Sequence, residues 1–396
     1  MKVTRLGVLA TAGPGNGGTY QYTLAMLQGL QHVSGVEVTV FGDPSNPDFT
    51  KLGYPIRAFS ENYARQVASL ALYRVRLKLP DPFASQDMLL APIYSLTLLH
   101  TNKPFAYTLH DLQELHFPKN FSPRQRIWRR QLHVALLRRA GRVICESTYV
   151  KSDIMTAFGV PDERIAVIPA PPQQQFQSAL SERQIRAIRD RLRLPDKFIV
   201  YPAHYWRHKN HIRLFEALRM VADEEPELKL VLTGNAAPVS GSNVLRQPNR
   251  INESEVVGAV DRLQLNNRVY HLGFVDREEL QAIYQLAVAL VMPSLFESIS
   301  IPIYEAFQAG TPVAASNILA IPEQVGDGGL LFDPNSAQSI KSAILEIIKD
   351  PAAARARAAR ARERMAAMTP ASYGAQLEGL VASMAASHVA ARRSSR

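Results

Sequence analysis

Residues 289–307 read ALVMPSLFESISIPIYEAF, and the order of residue types in that stretch dictates a strand, a loop and a helix. Ala289 to Met292 is an unbroken apolar run of the length expected for a strand buried on both faces, as in a parallel sheet covered by helices. Pro293 and Ser294 end it. Pro302 suits the first turn of a helix, where its missing N–H is not needed, and Ser300 stands where an N-cap would. The helix then runs from Pro302 to Ala309, and free amides at its start would face an anion. Glu297 falls on the loop and Glu305 one turn inside the helix. Both carboxylates would therefore border the carboxyl end of one strand, the edge at which open parallel sheets bind ligands. Carboxylates there can accept hydrogen bonds from the hydroxyls of a sugar or a ribose. The plainer alternative is a solvated Glu297 and a Glu305 that only complements the helix dipole.

The same alternation recurs upstream. Phe198 to Tyr201, Leu228 to Thr233 and Val269 to His271 have strand character, and His211 to Ala222 and Glu278 to Leu286 have helical periodicity. The first half opens β-α-β: residues 3–10 form a strand, a glycine-rich loop follows, Tyr20 to Leu30 is helical and Val36 to Phe41 is a strand. Phe105 to Leu109 and Val143 to Cys145 are further strands, separated by an amphipathic helix from Pro123 to Arg139. Between the halves, Pro169-Ala170-Pro171-Pro172-Gln173-Gln174-Gln175 breaks the composition with stiff prolines and then polar residues. A chain of 396 residues exceeds one ordinary core and suits two α/β domains of roughly 150 to 200 residues each. The reading is therefore two Rossmann-like, doubly wound parallel-sheet domains, residues 1–172 and 173–370. The Ala/Arg-rich stretch 351–368 is a strong helix former, Pro370 marks a break, and a last helix over 373–390 is expected to pack back on the first domain. No short-period repeat appears, which argues against a solenoid.

Composition narrows the function. Hydrophobic residues at 46% and charged residues at 20% are globular values. The single cysteine, Cys145, can form no internal disulfide and shares no thiol zinc site, which points to a reducing compartment. No apolar h-region follows Met1 to Arg5, and no run approaches the roughly 18 residues of a spanning helix, so a cytoplasmic protein is expected. The net charge of +10 favours an anionic partner. Arginines cluster over residues 124–142 and 355–364 and at Arg392, Arg393 and Arg396. Solvated helix faces and a patch for an anionic membrane surface are the two readings of those clusters, the second placing the chain peripherally at the inner face of a membrane. Nucleic acid is not the expected partner.

Three further groups of residues carry potential chemistry. Gly13-Pro14-Gly15-Asn16-Gly17-Gly18 matches G-x-G-x-x-G between a strand and a helix, which admits a nicotinamide dehydrogenase with Asp43 on the ribose, or a turn of no chemical role. His110-Asp111 ends the strand Phe105 to Leu109. A histidine there can donate a hydrogen bond or accept a proton, with Asp111 to orient it, or it can simply be a satisfied core histidine. His204, His208 and His211 are spaced closely enough to suggest a metal, but no acidic or cysteine ligand is evident nearby. No metal and no cofactor are expected.

Glu297 to Glu305, continued by Ala306 to Val313 and Ile321-Pro322-Glu323-Gln324-Val325-Gly326-Asp327, resembles the Glu-x7-Glu region of the family 4 retaining glycosyltransferases. Tyr201 to His211 is similar to that family's phosphate-binding strand and loop. The resemblance implies the GT-B fold, two Rossmann-like domains facing across a cleft. It implies a hexosyltransferase, with mannosyl transfer among the options, that moves a sugar from a GDP-, UDP- or dTDP-linked donor to a glycan, lipid-linked or small-molecule acceptor in cell-surface polysaccharide synthesis. Glu297 would contact the transferred sugar, Glu305 the donor ribose, and Lys209 the departing diphosphate. His204 stands where a second basic partner is common, and Arg207 would substitute for it. Gly17 and Gly18 would approach the donor phosphate, Gly273 and Phe274 the base, and Ser298, Ile299, Ser300 and Ile301 the donor through the loop and helix start. Ser298 and Ser300 replace glycines common in the family, which narrows backbone approach to the sugar. His110 and Asp111 would lie near sugar and acceptor. An epimerase of the same fold and a non-catalytic carbohydrate-binding scaffold are the competing readings.

Overall fold

The computed structural model describes residues 3–172, 176, 180–234 and 253–394, with the side chains of residues 253 and 254 and those beyond residue 388 outside the description. The proposed boundary residues Gln173 to Gln175 and the tail residue Arg396 fall outside it, as do the side chains of Arg392 and Arg393. Two compact units emerge, one of residues 1–173 with 367–396 and one of residues 174–366. The chain re-enters the first unit at Ala367, and Thr369 and Ser372 cap the helix Pro370–Ser394 reciprocally.

In the first unit seven strands form one sheet: β1 (Thr4–Ala10), β2 (Val36–Gly42), β3 (Ile56–Ala58), β4 (Met88–Ala91), β5 (Phe105–Thr108), β6 (Arg142–Cys145) and β7 (Ile165–Val167). Their order is β3-β2-β1-β4-β5-β6-β7, and every pairing is parallel. The second unit has β8 (Phe198–Pro202), β9 (Lys229–Thr233), β10 (Val269–His271), β11 (Ala289–Met292), β12 (Val313–Ser316) and β13 (Leu330–Phe332), again all parallel, in the order β10-β9-β8-β11-β12-β13. Strand order reverses between β1 and β4 and between β8 and β11, the doubly wound pattern with its switch points at those pairs.

Central strands are short and apolar. Met88, Leu89, Leu90 and Ala91 of β4 are all buried, as are all four residues of β11. Such runs bury both faces and leave no period to read. The first unit has a core on each side of its sheet. One holds Leu6, Val8, Met26 and Leu27 together with Tyr373, Leu377 and Met384 of the last helix. The other holds Phe83, Leu89, Phe105, Tyr107, Leu132 and Leu136. Among the described residues no helix is long and apolar enough to cross a membrane.

Candidate functional site

In the second unit the side chains picked out by sequence converge because β8 and β11 are neighbours, with Leu290 in register with Val200. The segments that leave these strands must emerge side by side. After β8 the chain makes a tight turn at Arg207–Lys209, and Asn210 takes the left-handed conformation, φ 59°, that asparagine tolerates better than most residues. The Asn210 amide donates to the carbonyls of Pro293 (3.0 Å) and Pro334 (2.8 Å). Leu295 N–H donates to the His208 carbonyl at 2.6 Å. The fully buried Tyr201 hydroxyl donates to the Lys209 carbonyl at 2.9 Å and lies 3.0 Å from Ser294 Oγ. These bonds fix the turn to the loop, and Lys209 Nζ consequently meets Glu297 Oε1 at 2.5 Å. The pair joins residues 88 apart in sequence and is only partly shielded, the side chains being 23% and 12% exposed.

Glu305 lies one helical turn further along and is buried. Its Oε2 accepts from Tyr284 Oη at 2.9 Å, and burial pushes the carboxyl up to about 7 against the opposing pull of the Tyr284 hydroxyl and of Arg277. Ser300 occupies the N-cap position of the helix Ile301–Ala309 without capping it. Its hydroxyl turns to Met292 Sδ (2.8 Å), while the Gln324 side chain grips its backbone from both sides, accepting from Ser300 N (2.9 Å) and donating to Ser300 O (2.7 Å). The expected serine cap is thus corrected. A side-chain amide from the neighbouring helix Ile321–Val325 sets the loop that carries Ser298, Ile299, Ser300 and Ile301.

Gly273, φ 69°, follows β10; its carbonyl accepts from Gly234 N at 2.8 Å, and Phe274 beside it is 83% exposed. Arg207 is exposed and lies 3.5 Å from Glu255. His211 is fully buried between Tyr201 and Tyr205, at 5.0 and 4.9 Å between ring centres. Burial and the nearby Lys209 push its ring down to about 3, which keeps it neutral.

The first unit carries a second cluster around a cavity of about 290 Å³, lined by Thr108, His110, Asp111, Tyr94, Arg129 and His133 among others. His110 follows β5. Its Nδ1 is 2.9 Å from Glu146 Oε2, and its Nε2 is 2.9 Å from the Pro92 carbonyl. Burial lowers its proton affinity, but the Glu146 carboxylate and the Pro92 carbonyl outweigh that and leave it raised. Asp111 does not orient His110 as expected. Its Oδ1 accepts from Gln113 N (3.1 Å) and Arg129 Nη2 (3.3 Å), because successive residues leaving a strand point to opposite sides. Arg129 also donates to the buried Glu114 at 2.7 Å. His133 is the opposite of His110: buried, with neither ring nitrogen hydrogen-bonded, it is pushed down to about 3 by burial and by Arg129.

Gly17 leads into the helix Gly18–Leu30 with φ 55° and ψ −123°, a conformation open to glycine alone, and both residues are exposed. Asp43, the ribose ligand of the dehydrogenase reading, instead closes its own turn by accepting from Ser45 N (2.9 Å) and Ser45 Oγ (2.7 Å).

Sequence reading missed the parts played by Glu146, Arg129, Glu61, His133, Tyr284 and Gln324. One signal was available for Glu146: a charged residue directly after the buried run Val143 to Cys145, placed as His110 is after its own strand. The others come from helices and loops whose register no local pattern states.

The family described as Glycosyl transferases group 1 matches residues 184–364, and Glycosyltransferase Family 4 matches residues 16–171. The O-antigen chain mannosyltransferase RfbU of Salmonella typhimurium is 24% identical over 352 residues, covering 87% of this chain and 90% of that protein. The O-antigen chain mannosyltransferase B of Escherichia coli is 26% identical over 246 residues, 61% of each chain. Among solved structures, Anabaena HepE in complex with UDP-glucose superposes with a TM-score of 0.73 at 20% identity, covering 96% of this chain and 100% of that one. Sucrose-phosphate synthase of Thermosynechococcus elongatus gives 0.73 at 21% identity over 97% and 100%. With both halves matched, and with two all-parallel sheets of the glycosyltransferase GT-B type, the chain belongs to the family 4 glycosyltransferases and is a glycosyltransferase.

Proposed function

We propose that this enzyme transfers a hexose, mannose in the first instance, from a nucleoside diphosphate donor to a glycan or lipid-linked acceptor of a cell-surface polysaccharide, with retention at the anomeric carbon. The observation that carries the reading is the Lys209–Glu297 pair at the carboxyl ends of β8 and β11. Without a donor each charge neutralises the other. A bound donor offers each a better partner: the diphosphate takes the Lys209 ammonium, and sugar hydroxyls take the Glu297 carboxylate. In the transfer the bond from the anomeric carbon to the diphosphate oxygen breaks and a bond to the acceptor oxygen forms on the same face. The acceptor proton passes to the departing diphosphate, whose charge Lys209 offsets.

Gly273 and Phe274 are read as the base contact, Glu305 as the ribose contact, and Arg207 as a second phosphate contact in place of His204. The loop Ser298, Ile299, Ser300 and Ile301 and the glycines Gly17 and Gly18 complete the donor contacts. The cavity at His110 and Asp111 receives the acceptor. Mannose is supported by the names of the O-antigen relatives, and a GDP-, UDP- or dTDP-linked form by the diphosphate chemistry at Lys209. A membrane-bound acceptor is supported by one face of the first unit. There Ile127 (59% exposed) and Tyr63 (69% exposed, 5.5 Å from the Trp128 ring) lie among the exposed Arg124, Arg126 and Arg130.

Thermal unfolding with a panel of nucleotide sugars tests the donor, because a ligand held only by the folded state raises its stability. A mannosyl nucleotide should raise the Tm more than its glucosyl counterpart. Lys209→Ala should abolish most of that shift and lower kcat by about 100-fold or more, the scale of losing one charge stabiliser at a leaving group. A panel that leaves the Tm unmoved, or a Lys209→Ala enzyme with near-normal kcat, overturns the reading.

A further inference from the structure

His110 is held in a way that its own strand does not explain. β5 pairs with β6 so that Thr108 stands beside Ile144, and two residues further along each strand come His110 and Glu146. On its other side β5 pairs with β4, with Ala91 beside Tyr107, and the residue after Ala91 is Pro92. The imidazole is therefore spanned by the ends of both neighbouring strands, a carboxylate at Nδ1 and a carbonyl at Nε2, each at 2.9 Å.

A carbonyl oxygen can only accept, and so can an ionised carboxylate. Both ring nitrogens must then carry hydrogen, since a neutral imidazole would set one lone pair against an oxygen lone pair. The remaining neighbours reinforce this. Tyr22, from the helix Gly18–Leu30, meets the ring edge-on at 4.7 Å and is pushed well above its ordinary value by burial, so it stays neutral. Asp111 adds a second negative charge, while Arg129, on the helix Pro123–Arg139, pairs with Asp111 and Glu114. His133 on that helix and Glu61 also line the cavity; His133 is neutral, and the Glu61 carboxylate accepts from Thr97 N (3.1 Å) and Thr97 Oγ1 (2.7 Å).

We propose that Glu146 is a positioning residue that holds His110 as a fixed imidazolium, so that His110 acts in the reaction as an oriented positive charge and never as the proton acceptor. With both N–H groups donated, the ring has no lone pair to offer an acceptor hydroxyl. It contributes instead a fixed positive charge to the cavity that it lines. The proposal rests on the acceptor reading of the cavity only for its kinetic consequence.

The experiment has two arms. Nitrogen-15 spectra of histidine-labelled protein without substrate should show His110, assigned by its loss in His110→Gln, with both nitrogens protonated at pH 7.5. In Glu146→Gln, where shape is kept and charge is lost, its titration should fall by about one pH unit or more. The alkaline limb of kcat/KM should move down by the same amount, and Glu146→Asp should restore most of it. A neutral His110 tautomer at pH 7.5 in the wild type overturns the proposal whether or not any variant folds. So does a titration unchanged in Glu146→Gln. A shifted titration with an unmoved kinetic limb would leave the clamp standing and overturn the role of His110 in catalysis.

Discussion

Two histidines line one cavity of the first unit and are driven to opposite charge states by what surrounds them. His110 has an acceptor at each nitrogen; His133 has none and an arginine nearby. Glu305 shows the same rule for a carboxyl. Buried with one hydroxyl donor, it is pushed up to about 7 from an ordinary 4.5. A folded value above the unfolded one means that the folded state binds the extra proton. The resulting stability is fully present below about pH 4.5 and is lost as pH rises through about 7. Glu305→Gln removes that dependence. In urea unfolding the variant should lie within about 1 kcal/mol of the wild type near pH 5 and exceed it at pH 8, by up to about 3 kcal/mol. Equal midpoints at both pH values would show that the carboxyl is not held out of water as described.

At the scale of elements, the last helix is as much a part of the first unit as the strands that precede it by hundreds of residues. Tyr373, Leu377, Leu380, Val381 and Met384 complete the core beside Leu27 and Leu30. The approach is close because two glycines face each other. A Cβ on Gly374 would overlap the Gly29 carbonyl, and one on Gly29 would come within 2.7 Å of the Tyr373 ring. Gly374→Ala should therefore destabilise the first unit by roughly 1–3 kcal/mol, the usual cost of overfilling a packed contact. Calorimetry that resolves two transitions should show the shift in one alone; a variant as stable as the wild type would mean that the helices are not in this contact. At this scale too the sequence is least legible. β4, central in its sheet, is four buried residues with no alternation, and β3, β7, β12 and β13 are similarly short.

Across the whole molecule, one doubly wound strand order is used twice, the first unit adding β7 at its edge, and the proposed site residues Lys209, Glu297 and His110 follow the carboxyl ends of β8, β11 and β5. The positive charge is divided in purpose. Arg360 and Arg364 hold Asp327, and Arg357 holds Glu346, so the cluster at 355–364 staples the helix Pro351–Ala366 to its own unit. Arg139 and Arg164 likewise donate to backbone carbonyls at Thr101 and Leu137. Arg124, Arg126 and Arg130 instead stand exposed beside Ile127 and Tyr63. Vesicles containing anionic lipid should sediment the protein, neutral vesicles much less. Changing the three arginines to glutamine should weaken binding by about 1 kcal/mol per charge. Recovery of the protein wholly in the supernatant at low salt would sink the membrane reading.

What the sequence determined by itself was the kind of fold and the identity of the charged groups after β8 and β11. Alternating apolar runs and amphipathic helices are local properties, and a proline, a lysine and two glutamates at the ends of such runs keep their positions whatever the remainder of the chain does. Tertiary structure decided which groups meet and in which charge state. Strand neighbours set Glu146 and Pro92 on either side of His110, and a fold across 88 residues joined Lys209 to Glu297. Parallel strands are paired through long crossovers, so register, and with it the partner and burial that decide protonation, exists only once the sheet has closed.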